Sequence, residues 1–318
     1  MSTGKYQHLF GPVLSRRLGR SLGVDIVPFK TCSYDCIYCE LGRTTVLTAQ
    51  REDFVPCDTV LAEIRHYLDT HPNPDFITLS GSGEPTLHAH LGGILSGIKS
   101  LTTVPLAVLT NGSLLWDGAV RDALSIADVV LPSLDAGDAG VFNQVNRPAA
   151  GISFEKMVTG LVTFRESFSN ALWLEVLFVE NVNSRDSDVR DMGHWIQQIQ
   201  PDRVQVNTVV RPPAERNASP VSPERLNVLA TALGPQSEVI ADYPLANTDS
   251  CITPDAECIV DLVRRRPCSA QEIAAALGLR LSETLKTLER LSAQRIVAEQ
   301  YLSGRTFFTG TCGDNGET

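Results

Sequence analysis

Three cysteines lie close together in the stretch TCSYDCIYCE, at Cys32, Cys36 and Cys39. Cysteine thiolates hold iron–sulfur clusters, and a 4Fe–4S cluster usually takes four of them. Because this C-x3-C-x2-C loop supplies three, one iron would keep an open position for a further ligand. The alternative is a structural zinc ion, which His8 or Cys57 would have to complete without a diagnostic spacing. The residue types favour a cluster and leave zinc open.

The remaining cysteines are scattered along the chain, at Cys57, Cys251, Cys258, Cys268 and Cys312. Such residues in a reducing compartment are expected to be ordinary buried thiols rather than disulfides. Cys251, Cys258 and Cys268 could instead hold a second cluster, but their spacing straddles a predicted helix. We therefore expect isolated thiols at these positions.

The composition is that of an ordinary globular protein with an acidic balance. The 318 residues are 43% hydrophobic and 20% charged, and the formal net charge is −10. Proteins that bind nucleic-acid phosphates strongly usually carry a basic excess, so such binding is not expected of the whole chain. No apolar run reaches the roughly 18 residues of a transmembrane helix, and the N-terminus lacks the apolar stretch of a signal peptide. We expect a cytoplasmic protein without a membrane partner.

Residues 1–250 alternate short apolar runs with helix-period stretches. Apolar runs of this length are typical of parallel strands that are covered on both faces. The runs are LGVDIVP (22–28), FITLSG (76–81), LAVLTNG (106–112), DVVLPSLD (128–135), LWLEVLFVE (172–180) and RVQVNTVV (203–210), with VIADYP (239–244) as a possible extra strand. Helices are predicted at 58–71, 189–200 and 223–233. The alternation predicts an α/β fold, a partial parallel (β/α)6 barrel.

Active sites of such barrels lie on the loops at the carboxyl ends of the strands. The cysteine loop follows the first predicted strand, and Gly83-Glu84-Pro85 follows the second. Glycine lets the backbone approach a ligand closely, and a carboxylate can pair with a cation. Polar side chains also lie at or near later strand ends, at Asn111, Ser133, Asp135, Glu175, Asn183 and Asn207. Each is a candidate ligand-binding residue, although a helix cap or loop role explains it equally well.

Residues 251–311 are predicted to form a second domain. Helix patterns cover 255–266, 269–279 and 282–294, and the second begins with a capping box, Ser269 and Glu272. The segment 295–310 is typical of a hairpin with Ser303-Gly304 at its turn. Three helices and a hairpin predict a winged helix-turn-helix, and 312–318 is predicted to be a flexible tail.

The charges of this second domain disfavour DNA binding. Residues 251–318 carry eight basic and nine acidic residues, whereas phosphate binding needs an excess of positive groups. Arg264, Arg265 and Arg266 form a basic run at the end of a predicted helix, where the helix dipole alone would favour them. Binding of a protein or peptide substrate, or packing as a lid or dimer surface, is favoured over DNA reading.

Cys32, Cys36 and Cys39, with Tyr38 directly before the last, resemble the signature of the radical S-adenosylmethionine (radical SAM) enzymes. Gly83-Glu84-Pro85 resembles the Gly-Gly-Glu segment of that family. The resemblance implies that the three cysteines hold a 4Fe–4S cluster whose open iron binds the methionine moiety of SAM. An electron passed through the cluster would cleave SAM to a 5′-deoxyadenosyl radical, which abstracts a hydrogen from a substrate.

The same resemblance implies which residues contact SAM and what else the enzyme needs. The expected SAM-binding residues are Tyr38, Gly83, Glu84, Pro85, Asn111, Ser133, Asp135, Glu175, Asn183 and Asn207. Glu84 is expected to pair with the methionine ammonium of SAM. An electron donor such as ferredoxin or flavodoxin is implied, and the reaction class is oxidoreductase or transferase with an unidentified substrate.

Three further stretches resemble a group of bacterial and archaeal radical SAM proteins related to the wybutosine tRNA enzymes. These stretches are FGPVLSRRLGRSLGVDIVPFKTCSYDCIYC (10–39), NRP (146–148) and RPPAE (211–215). The wybutosine enzymes hold a second cluster on cysteines upstream of the main motif, and no cysteine precedes Cys32 here. Their pyruvate-condensing reaction is therefore not predicted. A tRNA substrate stays an alternative, with the N-terminal arginines as RNA contacts.

The substrate is left open between a small molecule, a peptide and tRNA. Several arginines could favour an anionic substrate, although surface salt bridges explain them equally well. They are Arg16, Arg17, Arg20, Arg147 and Arg211. A different class of function is an iron–sulfur redox sensor that binds DNA through the winged helix. Gly83-Glu84-Pro85 and the full set of strands disfavour it, because a sensor needs no SAM pocket.

Overall fold

The computed structural model describes residues 6–15, 17–241 and 256–311. The strands are β1 (Leu9–Ser15), β2 (Gly19–Val24), β3 (Thr31–Cys32), β4 (Val46–Leu47), β5 (Phe76–Leu79), β6 (Leu106–Thr110), β7 (Val129–Pro132), β8 (Ala171–Phe178), β9 (Arg203–Thr208), β10 (Ser237–Val239), β11 (Val297–Leu302) and β12 (Arg305–Gly310). The helices are α1 (Cys57–Thr70), α2 (Leu91–Leu101), α3 (Gly118–Leu124), α4 (Ala139–Val145), α5 (Phe154–Ser167), α6 (Asp186–Ile199), α7 (Pro223–Leu233), α8 (Ala256–Arg265), α9 (Ala270–Leu277) and α10 (Leu281–Ala293), with a 3-10 helix at Pro85–Leu87. Within the described part of the chain, no helix combines the length and apolar character needed to cross a bilayer.

Eight strands form one sheet in the order β1-β2-β5-β6-β7-β8-β9-β10. Every neighbouring pair from β2 to β10 is parallel, so the predicted α/β fold with a parallel sheet is confirmed. The six predicted strands are β2 and β5 to β9, and the possible extra strand begins earlier than expected, as β10. The antiparallel edge strand β1 was not predicted, because Gly11 and Pro12 interrupt its apolar pattern. The pairing of β1 with β2 is irregular at that point, where an edge strand tolerates proline.

Alternating side chains of β8 show how the sheet separates the core from the interior of the barrel. Leu172, Leu174 and Val176 are fully buried in the main hydrophobic core. Burial of each such side chain stabilises the fold by about 1.5–3 kcal/mol. Glu175 and Leu177, on the opposite face, line a cavity instead. Since successive side chains of a strand point to opposite faces, this register commits Glu175 to the interior.

The two edges of the sheet curve around that cavity. Phe10 and Val13 of β1 line it together with Ile240, which follows β10 at the opposite edge. The sheet order places these strands at its two ends, and β1 and β10 are not paired with each other. An open sheet whose edges approach the same cavity is a partial barrel, as the sequence predicts.

Helices α8 to α10 and the hairpin β11–β12 form a C-terminal unit with its own apolar core. Val13 of β1 belongs to that core, which fastens the unit to the sheet edge. The predicted capping box of Ser269 and Glu272 is present, and Ser303-Gly304 forms the hairpin turn with φ values of 49° and 79°. These elements match the predicted ones. The domain boundary at 250 and the tail 312–318 lie outside the described residues and stay predictions.

Candidate active site

The cysteine loop lies at the carboxyl end of β2, on residues 25–48, where the barrel interpretation places it. Short strands β3 and β4 pair with each other and close the loop. The end of α4 fixes its centre, because the N–H groups of Asp35 and Ile37 donate to the carbonyls of Asn146 and Val145, each at 3.0 Å. Backbone hydrogen bonds from outside the loop therefore hold the segment that carries Cys36.

Each of the three thiols is half-buried. Burial, followed by the charge of Glu84, raises the pKa of Cys32 to about 12. Burial also raises the pKa of Cys36 and the pKa of Cys39. A thiolate is the metal ligand, so the binding of a metal centre must release these protons.

Two side-chain amides donate hydrogen bonds to the sulfurs. Asn111 Nδ2 lies 3.5 Å from Cys32 Sγ, and Asn146 Nδ2 lies 3.5 Å from Cys36 Sγ. Hydrogen bonds of this kind stabilise negative charge on sulfur and tune iron–sulfur clusters. Three half-buried thiols on one loop, with amide donors to two of them, fit a 4Fe–4S cluster that keeps one iron open.

Gly83-Glu84-Pro85 lies directly against the cysteine loop. A Cβ atom at Gly83 would lie 1.8 Å from the carbonyl oxygen of Thr31, so glycine is required for the two loops to touch. Pro85 is buried and begins the 3-10 helix, where its missing N–H costs nothing. The segment therefore packs directly against the cysteine loop and continues into the 3-10 helix that begins at Pro85.

Glu84 is 2% exposed, and its carboxylate is occupied by the protein. It accepts hydrogen bonds from the N–H and hydroxyl of Thr86 at 3.0 and 2.6 Å, from the Thr110 hydroxyl at 2.6 Å and from the Asn111 N–H at 2.7 Å. The carboxylate thus joins the ends of β5 and β6. Its pairing with the SAM ammonium stays a prediction that would require one of these donors to give way.

Tyr38 and Asp135 meet behind the cysteine loop. The Tyr38 hydroxyl donates to Asp135 Oδ2 at 2.5 Å, and Asn146 Nδ2 donates to the same oxygen at 2.9 Å. Burial raises the pKa of Asp135 to about 6, against the effect of these hydrogen bonds. Asp135 therefore orients Tyr38 and Asn146, which both adjoin the sulfurs.

Asn183 takes a structural role that corrects the expectation of SAM contact. It is fully buried. Its Nδ2 donates to the carbonyls of Asp135 and Leu177 at 2.8 Å each, and its Oδ1 accepts from the Val179 N–H at 2.7 Å. The side chain has neither surface nor a polar atom left for a ligand. Its position after β8 made it a candidate, but the turn there consumes its amide.

A cavity of about 390 Å³ lies inside the curved sheet beside the cysteine loop. Tyr38 and Cys39 line it together with Glu175 of β8 and Asn207 of β9. Glu175 accepts from Asn207 Nδ2 at 3.2 Å and from Arg17 Nη1 at 2.5 Å. The volume is in the range of small-molecule sites. Three of the predicted SAM contacts thus share one cavity with a cluster cysteine, whereas the other predicted contacts lie outside its lining, at Gly83, Glu84, Pro85, Asn111, Ser133, Asp135 and Asn183.

The predicted anion-binding arginines separate into two groups. Arg17 and Arg211 line the cavity. Arg147 does not, because its guanidinium pairs with Glu215 at 2.6 Å, and this corrects its expected role in the pocket. Arg20 also lies outside the cavity lining, and Arg16 lies outside the described residues.

Comparison with known proteins identifies the family. The sequence profile of the radical SAM superfamily matches residues 26–193, which is more than half of the chain and includes the cysteine loop and Gly83-Glu84-Pro85. The chain belongs to the radical SAM superfamily. Its cofactors are accordingly a 4Fe–4S cluster and SAM.

Individual relatives extend the match beyond the profile. The "UPF0026 protein" of Helicobacter pylori strain J99 is 32% identical over 283 residues, covering 88% of this chain and 91% of that protein. A protein of Brachyspira hyodysenteriae named "GTPase Obg" is 35% identical over 306 residues, but this chain spans 45% of its length. A radical SAM methyltransferase structure from Sphaerobacter thermophilus has a TM-score of 0.53 at 18% identity, covering 69% of this chain and 65% of that one. The last likeness supports the fold alone.

The cysteines of a possible second cluster are described only in part in this radical SAM protein. Among the described residues, no three His, Cys, Asp or Glu side chains are grouped to hold a single metal ion. Cys268 is buried in the C-terminal core and Cys258 is half-buried, while Cys251 lies outside the described residues.

Sequence reasoning missed three residues of the site of this radical SAM protein. Asn146 contacts Cys36 from 110 positions away, and its place at the start of the NRP stretch was the available signal. Arg265 and Arg266 of the C-terminal unit line the cavity. The helix dipole explains the run of charges at 264–266 in the sequence, and nothing in the local sequence distinguishes Arg265 and Arg266 from Arg264.

Proposed function

We propose that this radical SAM protein cleaves SAM reductively and abstracts a hydrogen atom from a small substrate held in the cavity. The observation that carries the proposal is the shared wall of Tyr38, Cys39, Glu175 and Asn207, which joins the cluster loop to polar strand ends around one space. In barrels of parallel strands, this end of the sheet is where chemistry takes place.

The chain itself binds, orients and shields. When bound, the cluster and SAM supply an electron and a 5′-deoxyadenosyl radical for hydrogen abstraction. Cys32, Cys36 and Cys39 would hold the cluster, with Asn111 and Asn146 donating to two of the sulfurs. Glu175 and Asn207 offer hydrogen-bonding groups to SAM or substrate. A ferredoxin or flavodoxin is the proposed electron donor.

The C-terminal unit is proposed to be a winged helix-turn-helix that serves as a wall of the cavity rather than as a DNA reader. Leu262, Arg265, Arg266 and Glu272 of this unit line the cavity. Arg211 Nη2, from the loop after β9, lies 2.6 Å from Glu272 Oε1 and holds the unit in place. The relation to wybutosine enzymes and a cytoplasmic location remain part of the proposal, supported by the sequence alone.

Anaerobic SAM cleavage tests the proposed function. The protein is reconstituted with iron and sulfide, given SAM and dithionite, and assayed for 5′-deoxyadenosine. Wild type and Cys57→Ala are expected to form it, since Cys57 is a half-buried thiol at the start of α1, outside the cysteine loop. Cys36→Ala is expected to form none. A wild-type cluster that never cleaves SAM, or equal cleavage by Cys36→Ala, would overturn the proposal.

A further inference from the structure

Among the described residues, seven charged side chains line the cavity, and three of them come from the C-terminal unit. The described lining residues include four arginines, of which Arg265 and Arg266 come from the C-terminal unit. They also include three glutamates, Glu40, Glu175 and Glu272. A cavity with low-dielectric walls concentrates the field of such groups, so their pairing decides what ligand it accepts.

All three glutamates form ion pairs, and their partners are Arg17 and Arg211. Glu175 pairs with Arg17 at 2.5 Å. Glu40 and Glu272 both pair with Arg211, at 3.0 and 2.6 Å. The carboxylates of the lining therefore leave Arg265 and Arg266 without a direct ion pair.

Arg265 and Arg266 line the cavity without a direct salt bridge to any of its three glutamates. Arg265 donates to the carbonyl of Leu9 at 3.0 Å and lies 4.8 Å from the Phe10 ring. The charges of Asp25, Asp261 and Glu63 act on it at longer range without a direct ion pair. The guanidinium of Arg266 makes no hydrogen bond or ion pair within the described residues, although it is half-buried. The longer-range field of Glu272 is the counter-charge it meets. Arg264, the preceding residue of the same run, is exposed and does not line the cavity.

Arg211 adds a second, independent sign of a missing partner. Its side chain is 8% exposed, and its Nε is buried without a hydrogen-bond partner. A buried charged donor without a hydrogen-bond partner is unfavourable, and such a group calls for an explanation. Because both Nη groups pair with Glu40 and Glu272, the Nε is the donor that an oxyanion in the cavity would engage, after a small shift of the side chain.

We infer that Arg211, Arg265 and Arg266 form an oxyanion subsite, and that the substrate is a small molecule with a carboxylate or phosphate group. The inference rests on the proposed function and deepens it. Guanidinium groups are suited to oxyanions because they donate several hydrogen bonds in one plane. A cavity of about 390 Å³ that the C-terminal unit covers on one side suits a small molecule better than tRNA.

Anion titration of the full-length, cluster-reconstituted protein tests this subsite. Inorganic phosphate and acetate are the two probes, each titrated calorimetrically at constant ionic strength, first without SAM and then with SAM at saturation. We expect saturable binding of at least one probe, weakened about tenfold or more in Arg266→Gln by the loss of one charged donor. Arg264→Gln is the matched control and should bind as wild type does. A preference for phosphate or for acetate then assigns the substrate's anionic group.

Three results would overturn the inference. They are no saturable binding of either probe, equal binding by Arg266→Gln and wild type, and binding that disappears when SAM is added. The last result would mean that the arginines hold the carboxylate of SAM itself. Because anion binding is measured without SAM cleavage, its failure is distinguishable from absence of 5′-deoxyadenosine, which tests the proposed function.

Discussion

A chain of hydrogen bonds connects one buried carboxylate to a cluster sulfur. Glu84 accepts from the Asn111 N–H, and Asn111 Nδ2 donates in turn to Cys32 Sγ. Burial raises the pKa of Glu84, while its four donors counteract that rise. The carboxylate is thus a positioning group, and its loss should disturb the position of Asn111 and of the cysteine loop.

Glu84→Gln tests this role. The substitution replaces one carboxylate oxygen, an acceptor, by an amide nitrogen, which is a donor. This nitrogen would face another donor, either the Asn111 N–H or the N–H and hydroxyl groups of Thr86 and Thr110. We expect the free energy of unfolding to fall by about 1–3 kcal/mol, and iron retention after reconstitution to fall with it. Urea denaturation and iron analysis measure the two effects. Glu166→Gln, on an exposed face of α5, should change stability by less than about 0.5 kcal/mol, and an equal effect of both variants would contradict the assignment.

At the scale of elements, the strands that were predicted are those whose signal is local. The sequences of β5 to β9 are recognisable as strands because they are mostly apolar. They are apolar because one face of each strand packs against helices and the other faces the interior of the barrel. β1 escaped prediction because its pairing is set by β2 across an irregular register at Gly11 and Pro12. Edge pairing of this kind is a tertiary property.

The same distinction separates the site residues. The spacing of Cys32, Cys36 and Cys39 is visible in ten letters. Asn183 could not be excluded from the sequence, because its burial depends on the turn after β8 and on Asp135, 48 positions away. Polar residues at strand ends are therefore good candidates for ligand binding. The structure shows which of them have polar atoms that are not already hydrogen-bonded within the protein.

The contact of Gly83 with Thr31 gives a prediction for the two loops. Gly83→Ala places a Cβ 1.8 Å from a backbone oxygen, so the loops must separate. We expect a loss of more than about 2 kcal/mol in the free energy of unfolding, and incomplete cluster incorporation. Thermal or urea unfolding and iron content measure both.

Gly193→Ala is the matched control for that substitution. Gly193 lies inside α6, and a Cβ there meets no atom within 4 Å. Alanine should stabilise the helix by up to about 1 kcal/mol, because glycine is the poorer helix former. Similar effects of the two alanines would show that the Gly83 contact is not required.

At the scale of the whole molecule, Arg211 links three parts of the chain. From the loop after β9 it pairs with Glu40 in the cysteine loop and with Glu272 at the start of α9. Burial alone would lower the pKa of Arg211, but the two carboxylates outweigh it and raise that pKa. Burial alone would raise the pKa of Glu272, but Arg211 outweighs it and lowers that pKa below its ordinary value of 4.5. The ion pairs of Arg211 therefore connect the C-terminal unit to the cysteine loop.

The sign of the pH dependence follows from the lowered pKa of Glu272. A carboxylate whose pKa is lower in the folded state contributes stability above its unfolded pKa, near 4.5, and loses it as pH falls through the folded pKa. The ion pair should therefore contribute fully at neutral pH. Its contribution should decline only in acid.

Glu272→Gln removes this charge while keeping the cap on α9, because glutamine can serve in a capping box. We expect the free energy of unfolding at pH 7 to fall by about 2 kcal/mol, since Arg211 loses one of two carboxylates in a buried setting. The difference from wild type should shrink below about pH 4.5, as urea unfolding at several pH values would show. Glu283→Gln, which breaks the exposed pair with Lys286, should cost less than about 0.5 kcal/mol. A Glu272→Gln deficit that persists unchanged into acid would mean that packing, not charge, holds the C-terminal unit against the barrel.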